Sequence, residues 1–235
     1  MNNKFLVIIP ARIGSKGIAR KNIVNLDGKP LIQYSIEPAV RLIKEKKVDE
    51  AIVSTDSEEI AHIAEKLGIK VPFIRPKGLA RDKSKSVGVI LHALDYLENN
   101  NMFFDAVVLL QPTAPLRSYK DIINAIDLFN KKSADSLITA YEESKLSDLI
   151  MYKKDGYFAV PLNEYHNKGI RRQNFKKIYI RNGAVYITRV DYLRKNKKVI
   201  SDRPLVCEMP KDRSVNIDSY SDLEVAECIL KKLEY

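Results

Sequence analysis

The segment Lys4–Asn22, KFLVIIPARIGSKGIARKN, decides the fold of this chain. Its first part, Phe5–Ile9, is a short apolar run rich in β-branched residues, which is typical of a strand that is buried on both faces. Pro10 ends the run, and the loop that follows holds two glycines and four basic residues between Arg12 and Lys21. A flexible basic loop after a first strand predicts an open α/β sheet that binds an anion at its carboxyl edge.

This loop matches neither of the two common phosphate-binding patterns. Gly14-Ser-Lys-Gly17 is too short for the P-loop, and no Gly-x-Gly-x-x-Gly follows the strand. We therefore expect neither a P-loop NTPase nor a dinucleotide-binding dehydrogenase. Glycines would let the backbone approach phosphate while arginine and lysine neutralise its charge, so a nucleoside triphosphate suits the loop. An ordinary connecting loop with solvated charges is the alternative.

The composition limits the classes of protein to consider. The chain has 235 residues, a formal net charge of +10 and 45% hydrophobic residues, which fits one domain with a sizeable core. Its lysines are dispersed, so the basic excess predicts a solvated surface and no nucleic-acid partner. The chain has two cysteines without metal-ligand spacing, and its first predicted strand begins at residue 5, which leaves no room for a signal peptide. No apolar run reaches membrane-spanning length. We therefore expect a cytoplasmic protein without a membrane partner.

Strand and helix patterns alternate through the first 140 residues, which predicts an α/β fold: three layers, with a mostly parallel sheet between helices on both faces. The predicted strands are Phe5–Ile9, Glu50–Ser54, Val71–Ile74, Asp105–Leu110, Ser136–Ala140, Ala184–Thr188 and Leu205–Glu208. The predicted helices are Pro30–Lys44, one that begins at Ser57, Ser86–Tyr96, one from Ser118 or Tyr119 to Asn130, and Ser219–Leu233.

The alternation stops after Tyr141. Two short strands are predicted in Leu149–Val160, with Asp155-Gly156 as their hairpin turn. We expect a single domain over residues 1–235, with an excursion at about 145–182 that covers the substrate or contacts a second subunit.

Three polar segments follow predicted strands and are candidates for the binding site. Val53-Ser-Thr-Asp56 either lines the ligand crevice or caps the next helix. Arg75–Ser86 either binds a phosphate or base edge, or serves only to cap a helix through Ser84 or Ser86. Gln111–Arg117 is held rigid by two prolines, and its Gln111 can both donate to and accept from a ribose or base. The alternative for this last segment is a proline-rich connector, and Arg117 could pair with a carboxylate.

Two later segments add further candidates. Arg172 suits a bidentate grip on a carboxylate, and Asn182-Gly183 is predicted as a turn before the strand that carries Tyr186, which is either a site or a core residue. Asn216 and Asp218 share one face of an extended segment, and their oxygens suit Mg²⁺. Capping of the last helix by Asp218 or Ser219 is the alternative.

These segments together resemble the acylneuraminate cytidylyltransferase family, the CMP-sialic acid synthetases and their bacterial relatives. The resemblance rests on IPARIGSKGIARKN, GKPLIQYSI, IVSTDSEEIAHIAEKLG, FIRPKGLARD, VVLLQPTAPLR, RRQ, RNGAVYI and SVNIDSYSDLEVAE, in this order over nearly the whole chain. It implies a Rossmann-like nucleotidyltransferase fold with a small extended dimerisation excursion, and hence a homodimer. It also implies the transfer of CMP from CTP to the anomeric hydroxyl of a nonulosonic acid, with Mg²⁺ as cofactor.

The resemblance also implies a role for individual residues. Arg12 and Lys21 would be catalytic, with Lys21 stabilising charge at the transferred phosphate. The nucleotide would contact Pro10, Ala11, Arg12, Ser15, Lys16, Asn22, Arg75, Ser84 and Ser86. The sugar would contact Gln111, Arg172, Gln173 and Tyr186, and the metal Asp218 and Asn216.

Three departures from the family pattern bear on these expectations. Asn216 stands in place of the first Asp of an Asp-x-Asp pair and brings less charge to the metal. Glu142–Asp148 lacks the His-Pro-Leu-Lys type of pattern of some sialic acid enzymes, so the sugar acid stays open between N-acetylneuraminate, legionaminate, another nonulosonate and the deaminated sialic acid. Ile13 and Ala19 replace a small residue and a proline in the loop. The rival functions are transfer to another sugar acid, such as 3-deoxy-manno-octulosonate, a basic nucleic-acid-binding domain, and an inactive nucleotide-binding relative.

Overall fold

The computed structural model describes residues 3–82, 84–144, 148–169 and 177–233. The strands in these ranges are β1 (Phe5–Pro10), β2 (Asn25–Leu26), β3 (Lys29–Pro30), β4 (Glu50–Ser54), β5 (Ala106–Leu109), β6 (Ser136–Glu143), β7 (Tyr152–Asp155), β8 (Phe158–Pro161), β9 (Ile178–Arg189) and β10 (Leu205–Glu208). The α-helices are α1 (Gln33–Lys44), α2 (Glu58–Lys66), α3 (Ser86–Glu98), α4 (Tyr119–Lys131), α5 (Val190–Asn196) and α6 (Tyr220–Leu233).

A six-stranded sheet with the order β10-β6-β9-β5-β1-β4 forms the centre of the molecule. Strands β1, β4 and β5 pair in parallel, as do β6 and β10, whereas β9 runs antiparallel to both β5 and β6. The mostly parallel sheet predicted from the alternating patterns is thus confirmed. The carboxyl ends of β1, β4 and β5 meet at one edge, which is where open α/β sheets bind their ligands.

Both faces of the sheet are covered, as the three-layer prediction requires. Phe5, Val7 and Ile9 of β1 face a core built with apolar residues of α1, α2 and α4. The alternate residues Leu6 and Ile8 face a second core with α3 and α5. Because successive side chains of a strand point to opposite faces, one short apolar run supplies both layers.

The ends of two helices follow from local sequence. Ser118 forms a reciprocal capping box with Asp121 at the start of α4, and Ser57 caps α2 by accepting from the backbone N–H of Ile60. By contrast, neither Ser84 nor Ser86 caps α3, so the capping alternative for these serines is wrong: the N-cap position is Lys85, whose side chain makes no capping hydrogen bond. The first N–H groups of α3 therefore lack a side-chain cap.

The predicted strand Val71–Ile74 is wrong. Only two isolated bridges form in this region, Ile52 with Lys70 and Thr55 with Ile74. The stretch runs along β4 without forming a continuous ladder, and it delivers Arg75 to the carboxyl edge of the sheet, where the Arg75 N–H donates to the Thr55 carbonyl over 2.6 Å.

The predicted turn at Asn182-Gly183 is also wrong, because these residues lie inside the long strand β9. Tyr186 pairs with Ile138 and Arg181 pairs with Ala140, so β9 carries a bulge between the two pairs. The buried Asn182 fills the bulge. Its side-chain oxygen accepts from the Thr139 hydroxyl over 2.7 Å, and Thr139 in turn accepts from the Val185 N–H over 2.9 Å.

The described part of the excursion is a hairpin of β7 and β8 that forms a separate two-stranded sheet. Its turn is Gly156-Tyr157, one residue later than predicted, and Gly156 takes a positive φ of 58°. Several large apolar side chains near it are exposed: Ile150, Tyr152, Tyr157, Phe158, Val160, Leu162 and Tyr165.

Within the described residues, no helix has the length and apolar character needed to cross a membrane.

Candidate active site

A cavity of about 260 Å³ opens at the carboxyl edge of β1, β4 and β5. We call it the nucleotide cavity. Nine of the residues predicted for the site from sequence line it: Pro10, Arg12, Ser15, Lys21, Asn22, Arg75, Ser84, Ser86 and Gln111. Segments far apart in sequence therefore meet at the place where the basic loop follows the first strand.

Asn22 and Asp56 fix the backbone of the basic loop. The buried amide of Asn22 donates to the Arg12 carbonyl over 2.7 Å, and the Asp56 carboxylate accepts from the Ile13 N–H over 3.0 Å. Asp56 does not cap α2, because Ser57 takes that position. Both side chains are used to hold the loop in a single shape over the cavity.

Arg12 crosses the mouth of the cavity to reach an acidic residue that sequence analysis did not single out. Its Nη1 donates to Asp82 Oδ1 over 2.6 Å, and Lys16 Nζ lies 3.4 Å from the other oxygen of the same carboxylate. The hydrogen bond from Arg12 is the main reason that the pKa of Asp82 is lowered. Two of the cations expected to bind phosphate thus share one carboxylate.

Lys21 is held by the segment that was predicted to bind metal. Its ammonium donates to the Ile217 carbonyl over 2.8 Å and to Asp218 Oδ1 over 2.9 Å. The Lys21 side chain is only 13% exposed, whereas that of Asp218 is 72% exposed. A single conformation of Lys21 therefore faces the cavity while Asp218 keeps contact with solvent.

Gly17 brings the basic loop against the same segment. A Cβ added at Gly17 would overlap the Asp218 carbonyl oxygen, whereas one added at Gly14 would meet nothing within 4 Å. Only glycine allows this close approach of the two backbones.

Arg75 forms the buried wall of the cavity. Its guanidinium lies 3.8 Å from Asp56, too far for a hydrogen bond, and its Nε has no hydrogen-bond partner among the described residues. Burial is the main cause that lowers the pKa of Arg75, with the charge of Arg12 acting in the same direction. Arg75 also lines the cavity, and since its Nε is enclosed by protein, the donors that can meet an acceptor on a ligand are its terminal nitrogens.

The two serines near Arg75 differ in their availability. Ser84 is engaged within its own loop, because it accepts from the Arg81 N–H and donates to the Gly78 carbonyl, each over 3.1 Å. Ser86 is the first residue of α3, whose N–H groups lack a side-chain cap. This uncapped helix start attracts negative charge to the cavity.

Arg117 pairs with no carboxylate among the described residues, a pairing that the sequence had allowed. It is buried, and its Nη1 donates to the carbonyls of Gln111 over 2.8 Å and Ala114 over 2.7 Å, while Nη2 contacts the Ser35 hydroxyl. Burial lowers the pKa of Arg117 to about 9. Arg117 therefore shapes the Gln111–Arg117 loop from beneath.

A second cavity of about 410 Å³ adjoins the first and shares Ser86 and Gln111 with it. We call it the acceptor cavity. Tyr186 lines it, 8% exposed, and burial raises the pKa of its hydroxyl. A Cβ added at Gly183, where φ is +75°, would lie 3.0 Å from Gln111 Oε1, 3.7 Å from Asn216 Oδ1 and 3.8 Å from the Tyr186 hydroxyl. The predicted sugar residues Gln111 and Tyr186 thus converge above Gly183.

The donor set around Asp218 fits Mg²⁺ only when a ligand supplies further oxygens. Among the described residues no group of three or more His, Cys, Asp or Glu side chains could hold a metal. Asn216 Nδ2 donates to Asp218 Oδ2 over 3.0 Å, and Ser219 together with Asp222 provides the cap of α6. The exposed Asp218 carboxylate is therefore free of capping, and one carboxylate beside substrate phosphates is a common Mg²⁺ arrangement.

Four of the predicted residues that the structure describes line neither cavity: Ala11, Lys16, Asn216 and Asp218. Ala11 is fully buried and serves through its backbone N–H, which donates to the Ser54 carbonyl over 2.9 Å. The Lys16 side chain is 80% exposed and reaches only the rim, at Asp82. Arg172 and Gln173 lie outside the described residues, so their roles stay predictions.

Sequence reasoning missed several lining residues, chiefly Asp82 in the nucleotide cavity and Arg181 in the acceptor cavity. Asp82 lies in the loop Arg75–Ser86, for which the sequence indicated hydroxyls and amides at a helix start and gave no role to a carboxylate. Arg181 directly precedes the Asn182-Gly183 pair that was interpreted as a turn, so its place in a bulged strand gave no periodic signal.

Comparisons with known proteins agree with this architecture. The family model described as Cytidylyltransferase matches residues 6–224. The chain is 36% identical over 229 residues to a pseudaminic acid cytidylyltransferase of Campylobacter jejuni subsp. jejuni serotype O:2, covering 97% of each chain. It is 32% identical over 232 residues to an N-acylneuraminate cytidylyltransferase of Escherichia coli O18:K1:H7, covering 99% of this chain and 53% of that protein.

Among solved structures, a CMP:2-keto-3-deoxy-manno-octonic acid synthetase complexed with CTP has a similar fold. The TM-score is 0.68 at 16% identity, and the match covers 98% of this chain and 99% of the other. The Rossmann-like nucleotidyltransferase fold is thereby confirmed. The sheet, the basic loop at its edge and these matches over nearly the full length lead to one conclusion: the chain belongs to the cytidylyltransferase family.

Proposed function

We propose that this protein transfers CMP from CTP to the anomeric hydroxyl of a nonulosonic acid and releases pyrophosphate. The observation that carries the proposal is the pair of adjoining cavities, one lined by the basic loop and the other by Tyr186, with Gln111 and Ser86 on their shared wall. Two relatives are named for pseudaminic acid and N-acylneuraminate, and both names denote nonulosonic acids.

In the proposed reaction, the anomeric oxygen attacks the α-phosphorus of CTP and forms the new P–O bond. The bond from the α-phosphorus to the bridging oxygen breaks, pyrophosphate leaves, and the hydroxyl proton passes to a base or to water. Transfer of this kind depends mainly on positioning and on neutralising charge. The shared wall would bring the acceptor oxygen next to the α-phosphate.

The basic loop would carry the electrostatic part of the mechanism. Arg12, Ser15 and Lys16 would bind the triphosphate, and Lys21 would stabilise the charge that develops at the transferred phosphate. Lys21 is suited to this because two fixed contacts already orient its ammonium toward the cavity. A preorganised charge needs little reorganisation when the reaction occurs.

The buried side of the nucleotide cavity would recognise the base. Arg75 would offer its terminal nitrogens from a packed position, the Pro10–Ala11 backbone ends β1 at the same edge of the sheet, and Ser84 lines the same cavity. Cytosine presents a carbonyl oxygen and a ring nitrogen as acceptors, which a fixed arginine donor matches.

Mg²⁺ is proposed as the cofactor, with Asp218 as its carboxylate ligand and Asn216 as an amide neighbour. The ion would supply charge neutralisation for the triphosphate. We expect Asp218→Ala to raise the Mg²⁺ concentration needed for half-maximal activity by at least about tenfold. Even the loss of a residue that only supports a metal ligand commonly weakens metal binding by about 10- to 100-fold. An unchanged Mg²⁺ titration would exclude Asp218 as a ligand.

A homodimer is proposed on the exposed apolar surface of the hairpin. Tyr157 is fully exposed and Phe158 is 79% exposed, which is unusual for large apolar side chains on adjacent positions. Light scattering should give twice the chain mass for the native protein and the chain mass for Phe158→Glu. A native protein of single chain mass would contradict the dimer.

The proposal places the reaction in the cytoplasm, which suits the two free cysteines, Cys207 and Cys228. Nucleic acid and membranes are not proposed as partners.

The test is pyrophosphate release with CTP and Mg²⁺ over a panel of acids. The panel holds pseudaminic, N-acetylneuraminic, legionaminic and deaminated sialic acids, with 3-deoxy-manno-octulosonate as the rival acceptor and ATP, GTP and UTP as nucleotide controls. Release with CTP and one nonulosonic acid supports the proposal and names the acceptor. Release only with 3-deoxy-manno-octulosonate, or none with any acid, would overturn it.

A further inference from the structure

We propose that Arg181 binds the carboxylate of the acceptor and so selects sugar acids over neutral sugars. This inference rests on the proposed function, since it names the group that the acceptor cavity recognises. It assigns to Arg181 the carboxylate for which the sequence favoured Arg172, a residue outside the described part of the chain, because the bulge of β9 places Arg181 on the wall of the cavity.

The bulge of β9 puts Arg181 and Tyr186 on the same side of the sheet. Ile138 and Ala140 of β6 point to one face because they are two positions apart, and their partners on β9 are Tyr186 and Arg181. In a regular ladder Ala184 would be opposite Ala140 instead. Because of the residues inserted between the two pairs, Arg181 takes the place that Ala184 would have in a regular ladder. A guanidinium therefore lies on the wall of the acceptor cavity where a methyl group would otherwise be.

The Arg181 guanidinium has no competing anion among the described residues. Its side chain makes neither an ion pair nor a hydrogen bond there, and its Cζ lies 5.8 Å from the centroid of the Tyr186 ring. Other arginines on neighbouring elements are neutralised. Arg189 pairs with Asp191, and Arg194 pairs with Asp95 and Glu98.

The charge of the whole acceptor cavity also favours an anionic ligand. Four basic residues line it and no acidic residue does so within the described part of the chain; the four are Lys85, Arg181, Lys197 and Lys198. Lys198 is partly neutralised by Asp202, 3.3 Å away. A concave surface with one sign of charge concentrates ligands of the opposite sign.

Arginine is the best suited of these cations to a carboxylate. Its planar fork can donate two parallel hydrogen bonds, whereas a lysine ammonium is a point charge on a flexible stem. In a nonulosonic acid the carboxylate is attached to the same carbon as the reacting hydroxyl. A grip on that carboxylate at Arg181 therefore also fixes where the nucleophile stands relative to Gln111 and the nucleotide cavity.

The experiment compares Arg181→Met, Arg181→Lys and the matched control Arg189→Met, a partly exposed arginine at the far end of the same strand. We expect Arg181→Met to raise the KM for the sugar acid by about 10- to 100-fold, the effect of losing a hydrogen-bonded charge partner, and to leave the KM for CTP unchanged. Arg181→Lys should recover part of the loss, and Arg189→Met should behave as the native protein does.

A substrate analogue supplies the second readout. The carboxamide of the same sugar acid, assayed as an inhibitor, should bind the native protein at least about tenfold more weakly than the acid binds. With Arg181→Met the acid and the carboxamide should bind equally, because the partner of the charge is gone.

Failure of this inference differs from failure of the proposed function. An unchanged KM for the sugar acid in an active Arg181→Met protein, or an undiminished preference for the acid over the carboxamide, would overturn the role of Arg181 alone. A native protein that is inactive with every acid would overturn the proposed function and this inference with it.

Discussion

The nucleotide cavity and the acceptor cavity share a wall but are built in different ways. Side chains of the nucleotide cavity are fixed by other parts of the same chain: Asn22 holds the Arg12 carbonyl, and Asp218 holds Lys21. In the acceptor cavity Arg181 and Lys197 have no ion-pair partner among the described residues.

This difference indicates that the degree to which side chains are fixed before a ligand binds follows the chemistry of each cavity. We call the nucleotide cavity and its basic loop the first half of the site, and the acceptor cavity the second half. Charge must be stabilised at one phosphorus atom, which favours cations fixed before the ligand arrives. The acceptor cavity has to recognise one sugar acid, and unpaired cations there are free to bind the acceptor's own charge. Substitutions in the first half should therefore change turnover or loop geometry, and those in the second should change the selection of the acceptor.

The largest expected effect comes from Lys21→Ala. Removal of the ammonium that Ile217 and Asp218 hold in place should lower kcat by about 10²- to 10³-fold, the scale for the loss of one preorganised stabiliser. Steady-state kinetics with saturating CTP and sugar acid would measure it. The control is Lys29→Ala, which removes an exposed lysine paired with Glu37. A normal kcat in folded Lys21→Ala would refute the fixed-charge role.

Gly17→Ala should have the next largest effect. Its Cβ would collide with the Asp218 carbonyl oxygen, and since backbone cannot swing aside as a side chain does, the basic loop must move. We expect a loss of about 1–3 kcal/mol in the free energy of unfolding, typical of overpacking, and a higher KM for CTP.

Gly14→Ala is the matched comparison, because its Cβ would meet nothing within 4 Å. Denaturant unfolding of both variants should show the loss only at Gly17. Equal stability of the two variants would show that the loop does not depend on its contact with the Asp218 segment.

Most of the nucleotide cavity could be predicted from the sequence alone. The apolar run Phe5–Ile9, the glycines and the cations are local in sequence, and the carboxyl edge of a parallel sheet assembles them without further information. Gln111 could be located for the same reason, since it directly follows a buried strand.

The acceptor cavity could not be predicted from the sequence in the same way. Hydrophobic periodicity does not give the position of a bulge, so Asn182-Gly183 was interpreted as a turn although it lies inside β9. Arg181 then escaped notice, because its place in the cavity depends on that bulge. Asp82 escaped because a contact with Arg12, seventy positions away in the chain, leaves no local pattern.

Asp82→Asn should give the smallest effect. It tests whether the cations of the nucleotide cavity are available to CTP or are occupied by Asp82. Its carboxylate occupies Arg12 and Lys16, the cations proposed to bind phosphate, so the incoming triphosphate must displace it. The pair is open to solvent, which screens it, so the neutral variant should lower the KM for CTP only modestly, by up to about fivefold. A higher KM would mean that Asp82 instead holds Arg12 in its binding position.

The most direct test of a prebuilt nucleotide half is calorimetric titration of the native protein with CTP and Mg²⁺ in the absence of any sugar acid. We expect saturable binding of a single CTP per chain, with UTP weaker by at least about tenfold, because a site built to donate to an acceptor on one base rejects a base that offers a donor there. Absence of CTP binding without the acceptor, or equal affinities for CTP and UTP, would contradict the view that this chain fixes its nucleotide site in advance.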